Sequence, residues 1–240
     1  MSVVTIQGQI GSLSRYIGQE AAKLLKADYV DYEILAQAAH RLGATIEAVA
    51  KKDERPSRLR ERVAHGFQVF LERSGAAGSA GDPLLGPTGM ELLMARSISD
   101  LTAQPISKAQ ELRDTRFLSA LETVVKDVAE TGNAVIMGRA SNVMLRDMPK
   151  AVHVYVVASQ ETRVRNRMRV DGTDRETTEK ALKETEDQRQ AFFRKFFKVD
   201  PNNPLLYDLV VNVDKLSIEA AAKLVADAAH DIEGAKRVAA

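Results

Sequence analysis

Gln7-Gly8-Gln9-Ile10-Gly11-Ser12-Leu13-Ser14-Arg15 joins a short apolar run to an amphipathic stretch, and its residue types suit anion binding. Glycine lets a backbone approach a ligand closely. A strand-to-helix loop also aims successive N–H groups and a helix amino terminus at a negative charge. The general motif for such a loop is G-x-x-x-x-G-K-[ST]. Read from Gly8, this chain has Leu13, Ser14 and Arg15 where Gly, Lys and Ser/Thr are expected, so the strict motif is absent. Taken alone, the loop is equally well a tight turn with incidental glycines.

Other side chains bear on that choice. Arg139 follows the apolar run Ala134, Val135, Ile136, Met137 and then Gly138. A forked guanidinium in that place suits either a phosphate or a buried ion pair. Arg163 and Arg167 are four residues apart and share one helix face, which is otherwise an ordinary solvated face. The four histidines, His40, His65, His153 and His230, are scattered without metal-ligand spacing. The absence of Cys excludes disulfides, thiolate metal sites and a thiol nucleophile.

These residues need a scaffold, and hydrophobic periodicity supplies one. Residues 3–6 form a β-branched run that reads as a buried strand, followed by a helix with Ile17, Ala21, Leu24 and Leu25 on one face. Tyr29-Val30 reads as a second strand, and Ile34, Leu35, Ala38, Ala39 and Leu42 as a second helix ending at Gly43. Residues 44–115 break this alternation. They hold an Arg-rich amphipathic helix around Leu59 to Leu71, a Gly- and Pro-rich loop over 74–89 and a further helix from Met90, and they are expected to form a helical insertion. Alternation resumes with a helical stripe of Phe117, Leu118, Leu121, Val124, Val125 and Val128. Strands are expected at 134–137, 152–157 and 209–213, and helices around 163–169, over 174–197 and over 218–229. Phe192, Phe193, Phe196 and Phe197 fit the core end of the long helix. Unbroken apolar strands between helices imply an α/β fold whose mostly parallel five-stranded sheet is covered on both faces, with ligands beyond the strands' carboxyl ends.

The 240 residues are 45% hydrophobic and 28% charged, enough for one sizeable core. Lys plus Arg number 34 against 33 Asp plus Glu, and the formal net charge of +1 gives no general reason to expect a nucleic-acid or membrane partner. No apolar run approaches the ~20 residues that span a bilayer. The amino terminus lacks the features of a signal peptide, so a cytoplasmic protein is the default expectation.

The stretch from Thr5 through Gln7, Gly8, Gly11, Ser12, Arg15 and Ile17 to Gly18 resembles the opening of the cytidylate kinase-like family, I-S-R-x-Y-G-S-G-G-R-E-I-G. Gly11, Ser12, Arg15, Ile17 and Gly18 match without a gap, while Leu13 and Ser14 replace two central glycines. Further segments match in order. Asp28-Tyr29-Val30-Asp31-Tyr32-Glu33-Ile34-Leu35 resembles Y-x-D-x-E-L-I, and Asp53-Glu54-Arg55-Pro56-Ser57 resembles D-E-x-P-S. Residues 134–140 resemble V-I-x-G-R-G/A. Glu186 to Phe193 is similar to D-x-x-R-x-x-Y-Y, and Tyr207 to Asn212 matches Y-D-L-x-I-N.

The resemblance implies a three-layer P-loop NTPase-like fold in one domain over 1–240, with 44–115 on the acceptor side and 158–200 as a lid. It implies ATP and Mg²⁺ as cofactors and a nucleotide, CMP or a similar small phosphoryl acceptor, as partner. Gly8, Gly11, Ser12, Ser14 and Arg15 would line the donor phosphates. Arg163 and Arg167 would be lid arginines that act in catalysis together with Arg15 and Arg139. Asp31, Arg139, Glu186 and Arg189 would hold the acceptor. Asp31 is also a natural helix cap, and Glu186 with Arg189 is also an ordinary i,i+3 surface pair. Ala140 stands where true cytidylate kinases carry Asp, and Arg15 removes the usual Mg²⁺-binding hydroxyl. A catalytically impaired nucleotide-binding relative is therefore the alternative expectation.

Overall fold

The structure, a computed structural model, describes residues 3–31 and 108–234. The expected helix over 34–42, most of the insertion block, the Asp53 to Ser57 match, His40 and His65 lie outside the described residues. In chain order the elements are β1 (Val3–Gly8), α1 (Ser14–Leu25), β2 (Asp28–Val30), α2 (Lys108–Thr131), β3 (Ala134–Met137) and α3 (Ser141–Met144). β4 (Ala151–Val157), α4 (Gln160–Asp171), α5 (Arg175–Phe197), a 3₁₀ turn (Pro204–Leu206), β5 (Leu209–Asn212) and α6 (Ile218–Gly234) follow.

The five strands form one sheet in the order β2-β3-β1-β4-β5, and every pairing is parallel. β-branched residues fill both faces, as a sheet covered on two sides requires. On one face Val4, Ile6, Val135, Val152, Val154, Val156 and Val211 pack against Ile17, Ala21 and Ala22 of α1 and Ala221, Ala222, Val225 and Ala229 of α6. On the other, Val3, Val30, Ala134, Ile136 and Ala151 pack against Leu121, Val124, Val125 and Val128 of α2. The result is three α/β/α layers. Phe192 and Phe193 close the core end of α5 over Ala140, as their spacing predicts. No helix among the described residues is long and apolar enough to cross a membrane.

The helix ends have local causes. Lys26 in the left-handed conformation stops α1, with Ala27 N–H donating back to Ala22 O at 2.9 Å. Ser159 caps α4 through Thr162, left-handed Gly172 ends it, and Asp174 caps α5 through Thr177. The amino terminus of α1 is different. Its cap position is Leu13, at φ 61°, which offers no side-chain hydrogen bond, and no acidic residue stands in the first turn.

Candidate functional site

Because the strands are parallel, the segments after β1, β3, β4 and β5 emerge on one edge of the sheet, as does Asp31 after β2. Backbone bonds tie that edge together. Gly138 N–H donates to Ile6 O at 2.9 Å, and Gln9 N–H to Val156 O at 3.0 Å. The Gln9 side chain accepts from Ala158 N–H at 3.1 Å, so the loop after β1 is pinned to β4 twice.

The loop itself is wound tightly. A Cβ on Gly8 would meet Ser14 Oγ at 2.3 Å and Ser12 Oγ at 2.9 Å, so the Ser12 and Ser14 hydroxyls both turn inward over Gly8. Gly11 has φ +84°, and a Cβ there would lie 2.6 Å from the backbone oxygen of Arg163. Glycine is thus required twice over at residue 11, by its dihedral and by the backbone of α4 against it. Leu13 keeps the left-handed conformation that a glycine would take there, at a cost of about 1–2 kcal/mol.

The first intrahelical bond of α1 runs from Ile17 N–H to Leu13 O at 3.2 Å. The preceding N–H groups of Ser14, Arg15 and Tyr16 have no intrahelical acceptor, as at any helix start. With no cap and no acidic side chain, this end carries the partial positive charge of the helix uncompensated. The Ser12 hydroxyl is fully buried and has no hydrogen-bond partner among the described residues. Free helix amides and a buried hydroxyl are the kinds of donor that suit an anion.

Two helices from the distant chain close on this loop. Asn166 of α4, 9% exposed, donates to Gly11 O at 2.9 Å. Glu186 of α5 accepts the Ile10 N–H at 2.9 Å through Oε1, and the same oxygen accepts from Arg163 Nη1 at 3.3 Å. Its other oxygen accepts from Arg189 Nε at 2.9 Å. Glu186 and Arg189 do form an i,i+3 pair, with Arg189 buried and Glu186 largely so rather than on the open surface. Arg189 also donates to Tyr155 Oη at 2.9 Å and Asn202 Oδ1 at 2.6 Å, and Tyr155 stacks on Tyr207 with centroids 4.7 Å apart. Burial works against the Arg189 charge, yet Glu186 and Tyr155 outweigh it and raise the pKa above its ordinary value. Burial likewise raises Tyr155.

The remaining predicted residues spread along the same edge. Arg15 directs its guanidinium to Asp31 at 3.0 Å, linking α1 to the end of β2. Arg167 pairs with Asp171, one turn further along α4. Arg139 is 8% exposed and lies in a turn where Gly138, Arg139 and Ala140 have φ of 70°, 57° and 57°. Consecutive left-handed residues of this kind are strained, and such strain gathers at functional sites. The turn opens α3, whose Asn142 accepts from the buried Gln7 side chain at 3.3 Å. Gln9, Asn166, Tyr155 and Asn202 carry no signal in the sequence, because each is an ordinary polar residue until the fold shows its partner. Among the described residues, no three His, Cys, Asp or Glu stand together as metal ligands.

The model of the cytidylate kinase-like family matches residues 3–215. Among solved structures, an uncharacterized protein from Eubacterium ventriosum overlays at a TM-score of 0.61 and 12% identity, covering 96% of this chain and 99% of that one. At that identity the overlay supports the fold alone. Shikimate kinase from Bacteroides thetaiotaomicron overlays at a TM-score of 0.45 with 11% identity, covering 95% of this chain and 98% of that one. Shikimate kinase from Acinetobacter baumannii in complex with shikimate gives 0.43 with 13% identity, covering 99% and 96%. Scores below 0.5 are too loose to carry an argument. No curated protein matches the chain. The match over 3–215 agrees with the parallel sheet, the glycine-led loop and the strained Gly138-Arg139 turn, and the chain belongs to the cytidylate kinase-like family.

Proposed function

We propose that the chain transfers the terminal phosphoryl group of ATP to CMP or a related small acceptor. An acceptor oxygen attacks the γ-phosphorus as the bond to the bridging oxygen breaks and ADP leaves. The observation that carries this reading is the uncapped amino terminus of α1 behind a tightly wound glycine loop, with Arg163 held to that loop through Glu186. Phosphoryl transfer depends mainly on positioning and charge neutralisation, and these groups offer both.

The loop would hold the donor phosphates with the α1 amides and the Ser12 and Ser14 hydroxyls. The α4–α5 hairpin would serve as the lid, bringing Arg163, with Arg167 behind it. Arg15, in the first turn of α1, would complete the donor site, while Arg139 at the end of β3 and Asp31 at the end of β2 would stand on the acceptor side. Mg²⁺ would neutralise phosphate charge when bound and would take most of its ligands from phosphate oxygens and water.

The alternative, a nucleotide-binding protein that has lost turnover, draws on different details. Arg15 is committed to Asp31, and the Ile10 amide to Glu186. An ADP-release assay across nucleoside monophosphates with ATP and Mg²⁺ separates the two. The kinase reading expects turnover with at least one acceptor, falling about a hundredfold or more in Arg163→Ala through loss of a transition-state donor. A thermal shift with ATP but no turnover on any acceptor would leave the alternative standing.

A further inference from the structure

Glu186 is in an unusual position for a residue of an anion site. It is a carboxylate, it is largely buried, and its Oε1 takes the loop amide of Ile10 at 2.9 Å together with Arg163 Nη1 at 3.3 Å. A carboxylate oxygen and a phosphoryl oxygen ask for the same donors, namely backbone N–H and guanidinium. The positive charge around Glu186 also exceeds its own negative charge. Two guanidinium groups, Arg163 and Arg189, face one carboxylate, and Arg163 Nε is buried without a hydrogen-bond partner among the described residues.

We propose that Glu186 is an internal competitor for the anion seat. Without ligand its carboxylate bridges the Ile10 amide and Arg163 and holds α5 on the loop. A phosphoryl-bearing ligand binds by displacing Oε1 and taking those two donors. This inference rests on the phosphate reading of the loop given above.

The arrangement of Arg189 supports the exchange. It holds Oε2 rather than Oε1, so the carboxylate keeps a charge partner after it lets go of the loop. Arg189 is itself fixed by Tyr155 and Asn202, which are independent of the loop. By contrast, α4 meets the loop through the Asn166 bond to Gly11 and through backbone contact at Arg163, neither of which an anion replaces. The exchangeable contact is therefore the α5 one.

Titration calorimetry of the full chain with ATP, and with inorganic tripolyphosphate as a probe lacking the base, tests this. Glu186→Gln should bind both about tenfold more tightly, the size expected when one charge-assisted hydrogen bond no longer has to be broken. Glu186→Asp retains the charge but is too short to reach the Ile10 amide, and it should tighten binding as well. If Glu186→Gln tightens binding while Glu186→Asp does not, the carboxylate acts only by general repulsion and the competitor is overturned. Unchanged or weaker binding in both variants overturns it too, with the phosphate reading intact so long as the parent chain binds ATP. Failure of the folded parent and both variants to bind either ligand removes the phosphate reading and the competitor together. Should the variants not fold, the parent chain still decides: tripolyphosphate must shift the Ile10 amide resonance, and an unmoved resonance in a liganded sample overturns the proposal.

Discussion

Gly11 and Gly138 both have positive φ, at +84° and +70°, but only Gly11 is pressed against another element. A Cβ on Gly138 would meet nothing within 4 Å, whereas one on Gly11 would meet the Arg163 backbone at 2.6 Å. Gly138→Ala should therefore lose only the left-handed penalty, about 1 kcal/mol. Gly11→Ala should lose roughly 2–4 kcal/mol, because a backbone clash adds to the dihedral strain. Urea denaturation of the two variants measures the difference directly. Equal losses would mean that α4 does not rest on the loop as described. Leu13 shows how much a single residue conceals. Its type departs from the glycine pattern, while its backbone takes the positive φ that glycine favours.

Among the elements, α5 depends on a buried polar anchor as well as on its phenylalanines. Tyr155→Phe removes the hydroxyl that accepts from Arg189 and donates to Asn202 at 2.7 Å. Its buried partners are left underserved, and the expected loss is about 1–3 kcal/mol by urea denaturation. A loss within error of zero would mean that water substitutes for the phenol. Elements of this kind were readable in part. β1, β3, β4 and β5 are legible because β-branched runs flanked by glycine or polar residues have few alternatives, and α2 because Leu121, Val124, Val125 and Val128 repeat at helical spacing. The one-turn α3 was not legible, since it follows three left-handed residues of which only Gly138 advertises that conformation. The candidate site divides the same way. Arg163, Glu186 and Arg189 were foreseen as functional, but the bond from Ile10 to Glu186 joins residues that only the packing of α5 brings together. No local pattern encodes a contact made by a backbone N–H.

For the molecule as a whole, His153 links stability to pH. Its ring lies on β4 beneath Thr5, whose hydroxyl is 2.8 Å from Nδ1, and burial lowers its pKa below the ordinary 6.5 despite the opposing pull of Asp208. A His whose folded pKa is depressed is neutral in the fold and takes up its proton more readily when unfolded. The corresponding stability is present above about 6.5 and is lost as pH falls toward the folded value. The urea midpoint of the parent chain should therefore decline between about pH 7 and pH 5, and more shallowly in His153→Gln. A parent profile flat over that range would contradict the assignment.

The strand order carries a consequence for how the chain comes into being. β1 pairs only with β3 and β4 among the described strands, so its first residues meet partners at Ala134 and Ala151, and β2 pairs only with β3. A nascent polypeptide leaving the ribosome therefore carries its central strand without these partners until Ala134 and Ala151 have been synthesised. The described strands pair only in parallel, so this sheet cannot grow outward from a hairpin between neighbouring strands. Loop closure over that separation makes assembly of the sheet a late, long-range event, and the apolar β1 stays without its strand partners until then.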